Sequence, residues 1–326
     1  MISMQTVRVA GRKYSDPDVI SLVRATGSLI DPRSAVISQA RRLTAKLKVF
    51  DSVPTDPIAR MVVLASLTGI RVEQMDVSRQ QSENRDAILL SATSGMIILY
   101  NPMRPIGRVA FSIGHEISHS FFPNSVAGSR FRNICDSGSK EANELERLFD
   151  LGASELLMPL DDFRMAVANN YTLVRLKGLA AHFGSSLEAT AFRLATAHPG
   201  LAVAGLLRYR RRVGEERAAR HHSQQRVLFN AEVSDPGTAS PKYRRQSCYL
   251  SEACGDDLTI RWNKSFAPDS VVYKAASDRN AVHSSAEVLP NDSDIVGTLE
   301  AMCDPYQRED AHPEFPDVLF LWVACQ

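Results

Sequence analysis

Between Pro105 and Pro123 the chain runs Val109-Ala110-Phe111-Ser112-Ile113-Gly114-His115-Glu116-Ile117-Ser118-His119-Ser120-Phe121-Phe122. The apolar spacing predicts a helix, closed by Pro123-Asn124. On a helix, positions i and i+4 share a face one turn apart, so the imidazoles of His115 and His119 can converge on one cation. Glu116 stands beside them, within reach of a proton on a water bound to that cation. Zinc suits the set, because imidazole is a good zinc ligand and the metal draws the pKa of its water toward about 7. A neighbouring carboxylate can then take the proton and return it to a leaving amine. Phe111 and Ile113 give the helix an apolar side to bury.

A catalytic zinc takes a third protein ligand and keeps one position for water. Working outward, the next helical stretch runs from Glu141 to Met158 and stops at Pro159. Glu146 lies within it and is the best candidate, with Glu141 and Glu144 as rivals. Asp150 falls one turn after Glu146 on the same face. There it can accept the second ring N–H of a ligating histidine, the arrangement usual around zinc. Manganese or iron can also use such a ligand set. A donor for the developing oxyanion is needed besides the metal, and a Tyr, a His or an Arg would each serve.

These residues resemble the ImmA/IrrE family of zinc metallopeptidases. The likeness rests on Gly114-His115-Glu116-Ile117-Ser118-His119 and on the helix ending Ala153-Ser154-Glu155-Leu156-Leu157-Met158-Pro159, and it extends diffusely from about Ser34 to Leu194. The family pattern is similar to Glu-x-Glu-Ala-Asn-x-Phe-Ala-Ala-Glu-Leu-Leu-Met-Pro. Aligning the endings puts its third zinc ligand on Glu146 and its Asn/Asp on Asp150. The chain departs from the pattern at Leu148, where a second Glu is usual, and at Gly152, where Phe is usual. The second departure implies less packing behind the ligand helix.

The resemblance implies an α+β fold with a zincin-like metallopeptidase core. It also implies an intracellular zinc endopeptidase whose substrate is a helix-turn-helix repressor, cut to derepress stress, DNA-damage or mobile-element genes. Some members carry a helix-turn-helix-like region after the core and a sensor-like domain resembling GAF. Leu176–Thr190, with a turn at Gly184, fits the first. The expected organisation is an N-terminal arm at 1–30, the metallopeptidase domain at 31–165, the helical module at 166–212, and a β-rich α+β sensor-like or interaction domain at 213–326.

The remaining sequence bounds these expectations. The chain has 326 residues, 44% hydrophobic and 23% charged, which excludes a disordered or fibrous protein. With 38 Lys and Arg against 37 Asp and Glu the net charge is +1, so nucleic-acid binding would need a local patch. The patch is Arg208-Tyr209-Arg210-Arg211-Arg212, continuing to Arg217, Arg220, His221 and His222, in what reads as a solvated helix or linker. The would-be recognition helix, Leu187 to Thr196, offers Glu188, Thr190 and Arg193 for DNA, with little charge for phosphates. Five dispersed cysteines without a Cys-x-x-Cys pair fit reduced thiols in the cytoplasm. Cys135 is read as a nearby thiol, and His182, His198, His283 and His312 as ordinary residues. No signal peptide or apolar run long enough to span a bilayer is visible, so no membrane role is expected.

Local patterns predict a short helix at Val19–Arg24, a helix from Pro32 and another from Asp56-Pro57 ended by Gly69. A hairpin is predicted from Ala87–Leu90 and Met96–Tyr100. Arg226–Phe229, Leu258–Trp262, Val271-Val272-Tyr273 and Val318–Val323 read as strands. The competing reading is a DNA-binding transcriptional regulator or antitoxin-like protein with a vestigial zinc site, and a third is a zinc-stabilised scaffold. Neither needs Glu116.

Overall fold

The computed structural model describes residues 7–9, 12–14, 16–25, 31–47, 49, 54–76, 86–93, 95–122, 140–212, 214–217, 240–254, 258–291, 293–306, 312 and 314–325. The fold is α+β and its chain divides into two compact units, 1–166 with 180–186, and 167–179 with 187–326.

The first unit opens with two paired strands, β1 (Val7–Val9) and β2 (Arg12–Tyr14), and a short helix, α1 (Pro17–Ala25). Helix α2 (Pro32–Leu47) buries Val36, Ala40, Leu43 and Leu47, the apolar positions at intervals of three and four. Helix α3 (Pro57–Ser66) starts where the Asp56 side chain accepts from the Ala59 N–H at 2.7 Å, with Pro57 fixing the first turn. Its end is followed by Gly69 at φ +78°, a left-handed residue that a side chain would strain. A three-stranded sheet follows in the order β3 (Arg71–Gln74), β5 (Gly95–Tyr100), β4 (Ala87–Ala92). The predicted hairpin pairs β4 antiparallel to β5, with Ile88 opposite Leu99, and β3 runs parallel to β5.

Helix α4 (Ile106–Ser118) and a 3-10 turn at His119–Phe121 carry the histidine motif. Val109, Ala110, Ile113 and Ile117 are buried along one stripe, against α3, β4 and β5. Burial of Val109, Ile113 and Ile117 contributes about 1.5–3 kcal/mol each. Helix α5 (Lys140–Leu157) crosses α4 and also packs on α2, and α6 (Leu160–Val167) follows the break at Pro159. The crossing of α4 and α5 is close because it is built from small residues. A Cβ at Gly152 would sit 2.3 Å from the Ser118 Oγ, and one at Gly114 would sit 3.3 Å from the Ala153 Cα. Gly152 therefore tightens the packing behind α5, contrary to the expectation of looser packing where the family carries Phe. Leu148 is 4% exposed, so the other departure from the family pattern places an apolar side chain in the core.

In the second unit a five-stranded antiparallel sheet has the order β7 (Lys242–Leu250), β6 (Ala202–Arg210), β10 (Val318–Ala324), β9 (Val296–Cys303), β8 (Val282–Val288). Side chains alternate faces along each strand, so both faces carry apolar residues. Val203, Leu207, Phe320 and Trp322 form one core with Val271, Val272, Ala275 and Ala276 of helix α9 (Val271–Ser277). The opposite face takes helix α8 (Leu187–Ala197), whose Phe192 stacks on Tyr249 of β7 with ring centroids 4.1 Å apart. Helix α7 (Leu176–Phe183) precedes α8, with the predicted turn at Gly184, φ +67°. The Glu300 carboxylate accepts from the Thr172 hydroxyl at 2.8 Å and the Leu173 N–H at 2.6 Å, fixing the 3-10 turn that leads into α7.

Three expectations change here. Val271-Val272-Tyr273 is helical: the Ser270 hydroxyl accepts from the Val272 N–H, and an apolar face continues through Ala275 and Ala276. Capping and burial override β-propensity there. Leu258–Trp262 is not a strand, although Leu258 and Ile260 are buried. Arg208 and Arg210 lie in β6, not in a helix or linker, so the C-terminal sheet begins before residue 213. Arg226–Phe229, His221 and His222 lie outside the described residues, as does Cys135.

Candidate metal centre

The two motif helices bring His115, Glu146 and Asp150 together across a gap of some thirty residues. His115 Nε2 lies 3.5 Å from Glu146 Oε2, and His115 Nδ1 lies 2.9 Å from Asp150 Oδ1. Glu146, Phe149, Asp150 and Ala153 stand at i, i+3, i+4 and i+7 of α5, which is why one helix face supplies all these contacts. Burial alone would lower the His115 pKa. Hydrogen bonds to Asp150 and Glu146, with the charges of Glu116 and Asp150, outweigh it and raise the pKa to about 10. The ring is thus held by acids at both nitrogens.

His119 sits one turn on, with its ring centroid 5.4 Å from that of His115. Its Nε2 lies 3.7 Å from Glu116 Oε2. Phe149 positions both rings: it stacks on His119 at 3.8 Å and meets His115 edge-on at 5.6 Å. Phe149 is itself 2% exposed, between these rings and Phe122. Sequence reasoning missed this residue, because an aromatic three positions after Glu146 fits a plain core stripe equally well. It also missed Asp86, which pairs with Arg104 at 3.1 Å and Arg108 at 2.5 Å and so ties the start of β4 to α4.

Do these donors fit a zinc ion? Two atoms binding one ion tetrahedrally at about 2.0–2.1 Å lie about 3.4 Å apart, and His115 Nε2 and Glu146 Oε2 are 3.5 Å apart. Asp150 holds the other nitrogen of His115, which leaves Nε2 as the nitrogen that a metal ion would meet. The donor chemistry is imidazole and carboxylate, as zinc takes. Among the described residues no three His, Cys, Asp or Glu side chains are gathered as a ready-made metal cluster, so the close pair is His115 with Glu146. The side chains of the rivals Glu141 and Glu144 lie outside those described.

The other singled-out residues do not join this site. His198 Nδ1 accepts from the Gly200 N–H in its turn, His182 packs edge-on to Phe183, and His283 lies 3.3 Å from Asp278. His312 packs edge-on to Tyr209. On α8, Thr190 is 0% and Arg193 6% exposed, so two of the three side chains expected to be offered to DNA are buried. The physical reason is that α8 covers a face of the five-stranded sheet.

Residues 65–195 match the Peptidase M78 family model, described as the IrrE N-terminal-like domain. Among solved structures, a Mycobacterium tuberculosis transcriptional regulator is similar with a TM-score of 0.54 at 15% identity, covering 94% of this chain and 80% of that one. At that identity the likeness is one of fold. No curated protein matches the chain. Residues 65–195, which contain the α4–α5 crossing, are thus similar to the IrrE N-terminal-like domain. Among the described residues no helix is long and apolar enough to cross a membrane.

Proposed function

We propose that this chain is a cytoplasmic zinc endopeptidase that hydrolyses a peptide bond in a protein substrate, a helix-turn-helix repressor, and so derepresses stress, DNA-damage or mobile-element genes. The observation that carries the reading is the approach of Glu146 to His115 within 3.5 Å, while Asp150 holds the far side of the same ring. His115, His119 and Glu146 would hold the ion, and manganese could take its place. When bound, zinc supplies a Lewis acid that polarises a carbonyl and makes water a nucleophile near neutral pH.

The chain's own residues do the rest. Asp150 accepts the Nδ1 proton of His115 and so fixes which nitrogen faces Glu146. Phe149 fixes the tilt of His119 by stacking. The Glu116 carboxylate, 16% exposed, takes a proton from the attacking water and delivers it to the departing amine nitrogen. General acid–base help of this kind is worth about 10²–10⁴ in rate. The test is co-expression with a candidate helix-turn-helix repressor of the same organism, wild type against Glu116→Gln. The wild type is expected to yield a new repressor fragment, and the variant to fold and bind zinc without yielding it. Cleavage retained by Glu116→Gln contradicts the assigned role.

A second reading, a DNA-binding transcriptional regulator with a vestigial zinc site, draws on the fold shared with the Mycobacterium tuberculosis transcriptional regulator. The burial of Thr190 and Arg193 counts against α8 as its recognition helix. Under this reading no fragment forms with either protein, and neutralising Arg210–Arg212 removes a salt-dependent DNA shift.

A further inference from the structure

The basic run at Arg208–Arg212 and the tryptophan at 262 have no part in hydrolysis. In the second unit, Arg208 and Arg210 lie in β6, opposite Arg244 and Lys242 of β7. Several of these charges are already neutralised. Arg208 lies 3.3 Å from Asp317, while Arg212 and Arg244 share Glu215 at 3.7 and 3.8 Å.

Arg210 and Arg245 are different. Among the described residues neither forms an ion pair. Arg210 donates to the Arg245 carbonyl at 2.7 Å, and the Arg245 Nε is buried with no hydrogen-bond partner. The Cys248 thiol adjoins the Arg245 side chain. Both guanidinium groups lie over Trp262, with their central carbons 5.4 and 4.4 Å from the ring centroid. Trp262 is nevertheless 58% exposed, an unusual place for so large an apolar ring. Burial, and after it the positive charge of Arg208, hold the Arg210 pKa below its ordinary value; Arg245 adds to this and Glu216 opposes it.

We propose that Trp262, Arg210 and Arg245 form a platform for single-stranded nucleic acid, with a base stacked on the indole and backbone phosphates against the two guanidinium groups. An accessible flat ring offers a stacking surface that any unpaired base can use, and cations lacking a carboxylate partner suit phosphate. A duplex keeps its base faces covered, and an acidic peptide brings charge without a ring to stack. The site is independent of the hydrolytic reading.

The full-length chain supplies its own reporter. It has two tryptophans, and Trp322 is fully buried, so ligand quenching reads Trp262. Single-stranded oligothymidylate is expected to quench the emission, with affinity falling steeply as salt rises. By anisotropy of a labelled strand, Trp262→Ala weakens binding about tenfold and Trp262→Phe restores most of it. Arg245→Gln lowers the slope of log affinity against log salt by about one. Trp262 is exposed and Arg245 half-buried, so circular dichroism is used to check that each variant stays folded. The proposal is overturned if the strand neither binds nor quenches at low salt, or if Trp262→Ala binds like wild type. Equal binding of a matched duplex means that phosphates alone are recognised and also overturns it. Equal quenching by polyglutamate does the same in favour of an acidic protein partner.

Discussion

The crossing of α4 and α5 and the five-stranded sheet are both cores, but they are built by opposite rules. At the crossing, small residues let two helices approach: Gly152 leaves no room for a Cβ beside Ser118, and Gly114 lies against Ala153. In the sheet, large residues fill the space between a face and a helix, with Trp322 and Phe320 under Val272 and Ala275. The first arrangement holds polar groups at fixed separations, and the second excludes water over a wide area. The difference suits the proposed function, since a metal centre would need ligand atoms placed to tenths of an ångström, and close backbone contact favours that.

The largest effect is expected where the sheet is emptied. Trp322 is fully buried and donates Nε1–H to the Glu287 carbonyl at 2.9 Å, with Gly297 leaving room for the ring. Trp322→Ala should cost about 3–5 kcal/mol. Hydrogen exchange should show it as lost protection in β6, β9 and β10. Protection unchanged in those strands would mean that this core does not hold the sheet.

Overfilling the helix crossing comes next. Gly152→Ala places a methyl within 2.3 Å of the Ser118 Oγ, and overpacking costs about 1–3 kcal/mol. Denaturant unfolding measures the loss, and zinc affinity should fall with it, because α5 carries Glu146. Ser118→Gly in the same chain should return most of both. If the double variant is no better than the single one, the two residues do not touch as described.

The same contrast explains what could be read in the sequence. The histidine helix, the acidic helix and the hairpin follow from repeating periods and from Pro105, Pro123 and Pro159 as stops, all of which are local signals. The approach of Glu146 and Asp150 to His115 could be expected because helical spacing fixes a face before any tertiary contact forms. Spacing alone left Glu141 and Glu144 as rivals, and the family resemblance singled out Glu146. Phe149 was not legible, since an aromatic in an apolar stripe looks the same whether it stacks on a ligand or fills a core. Val271-Val272-Tyr273 misled because three strand-forming residues follow a serine cap that only the fold puts to use. Arg208 and Arg210 misled for a related reason: a charged run reads as solvated until pairing with Asp317 and stacking on Trp262 give it a place in β6. Gly152 looked like a missing side chain, and only the distance to Ser118 reveals it as a requirement.

The smallest expected effect tests whether the crossing positions a ligand or merely packs. Asp150 is 54% exposed, so replacing its carboxylate should leave the fold nearly as stable as before. Its bond to His115 Nδ1, at 2.9 Å, acts instead on the ring. An amide at this position can still accept the Nδ1 proton through its oxygen, but it removes the negative charge that makes Nε2 a better donor. Asp150→Asn should therefore weaken zinc binding about 10- to 100-fold, read by competition with a chelating dye, with little change in the unfolding midpoint. Asp150→Ala, which removes the acceptor as well, should weaken it further. A purely structural Asp150 predicts the reverse, a shifted midpoint with unaltered zinc affinity. That result would leave the approach of Glu146 to His115 as an ordinary contact between an acid and a base.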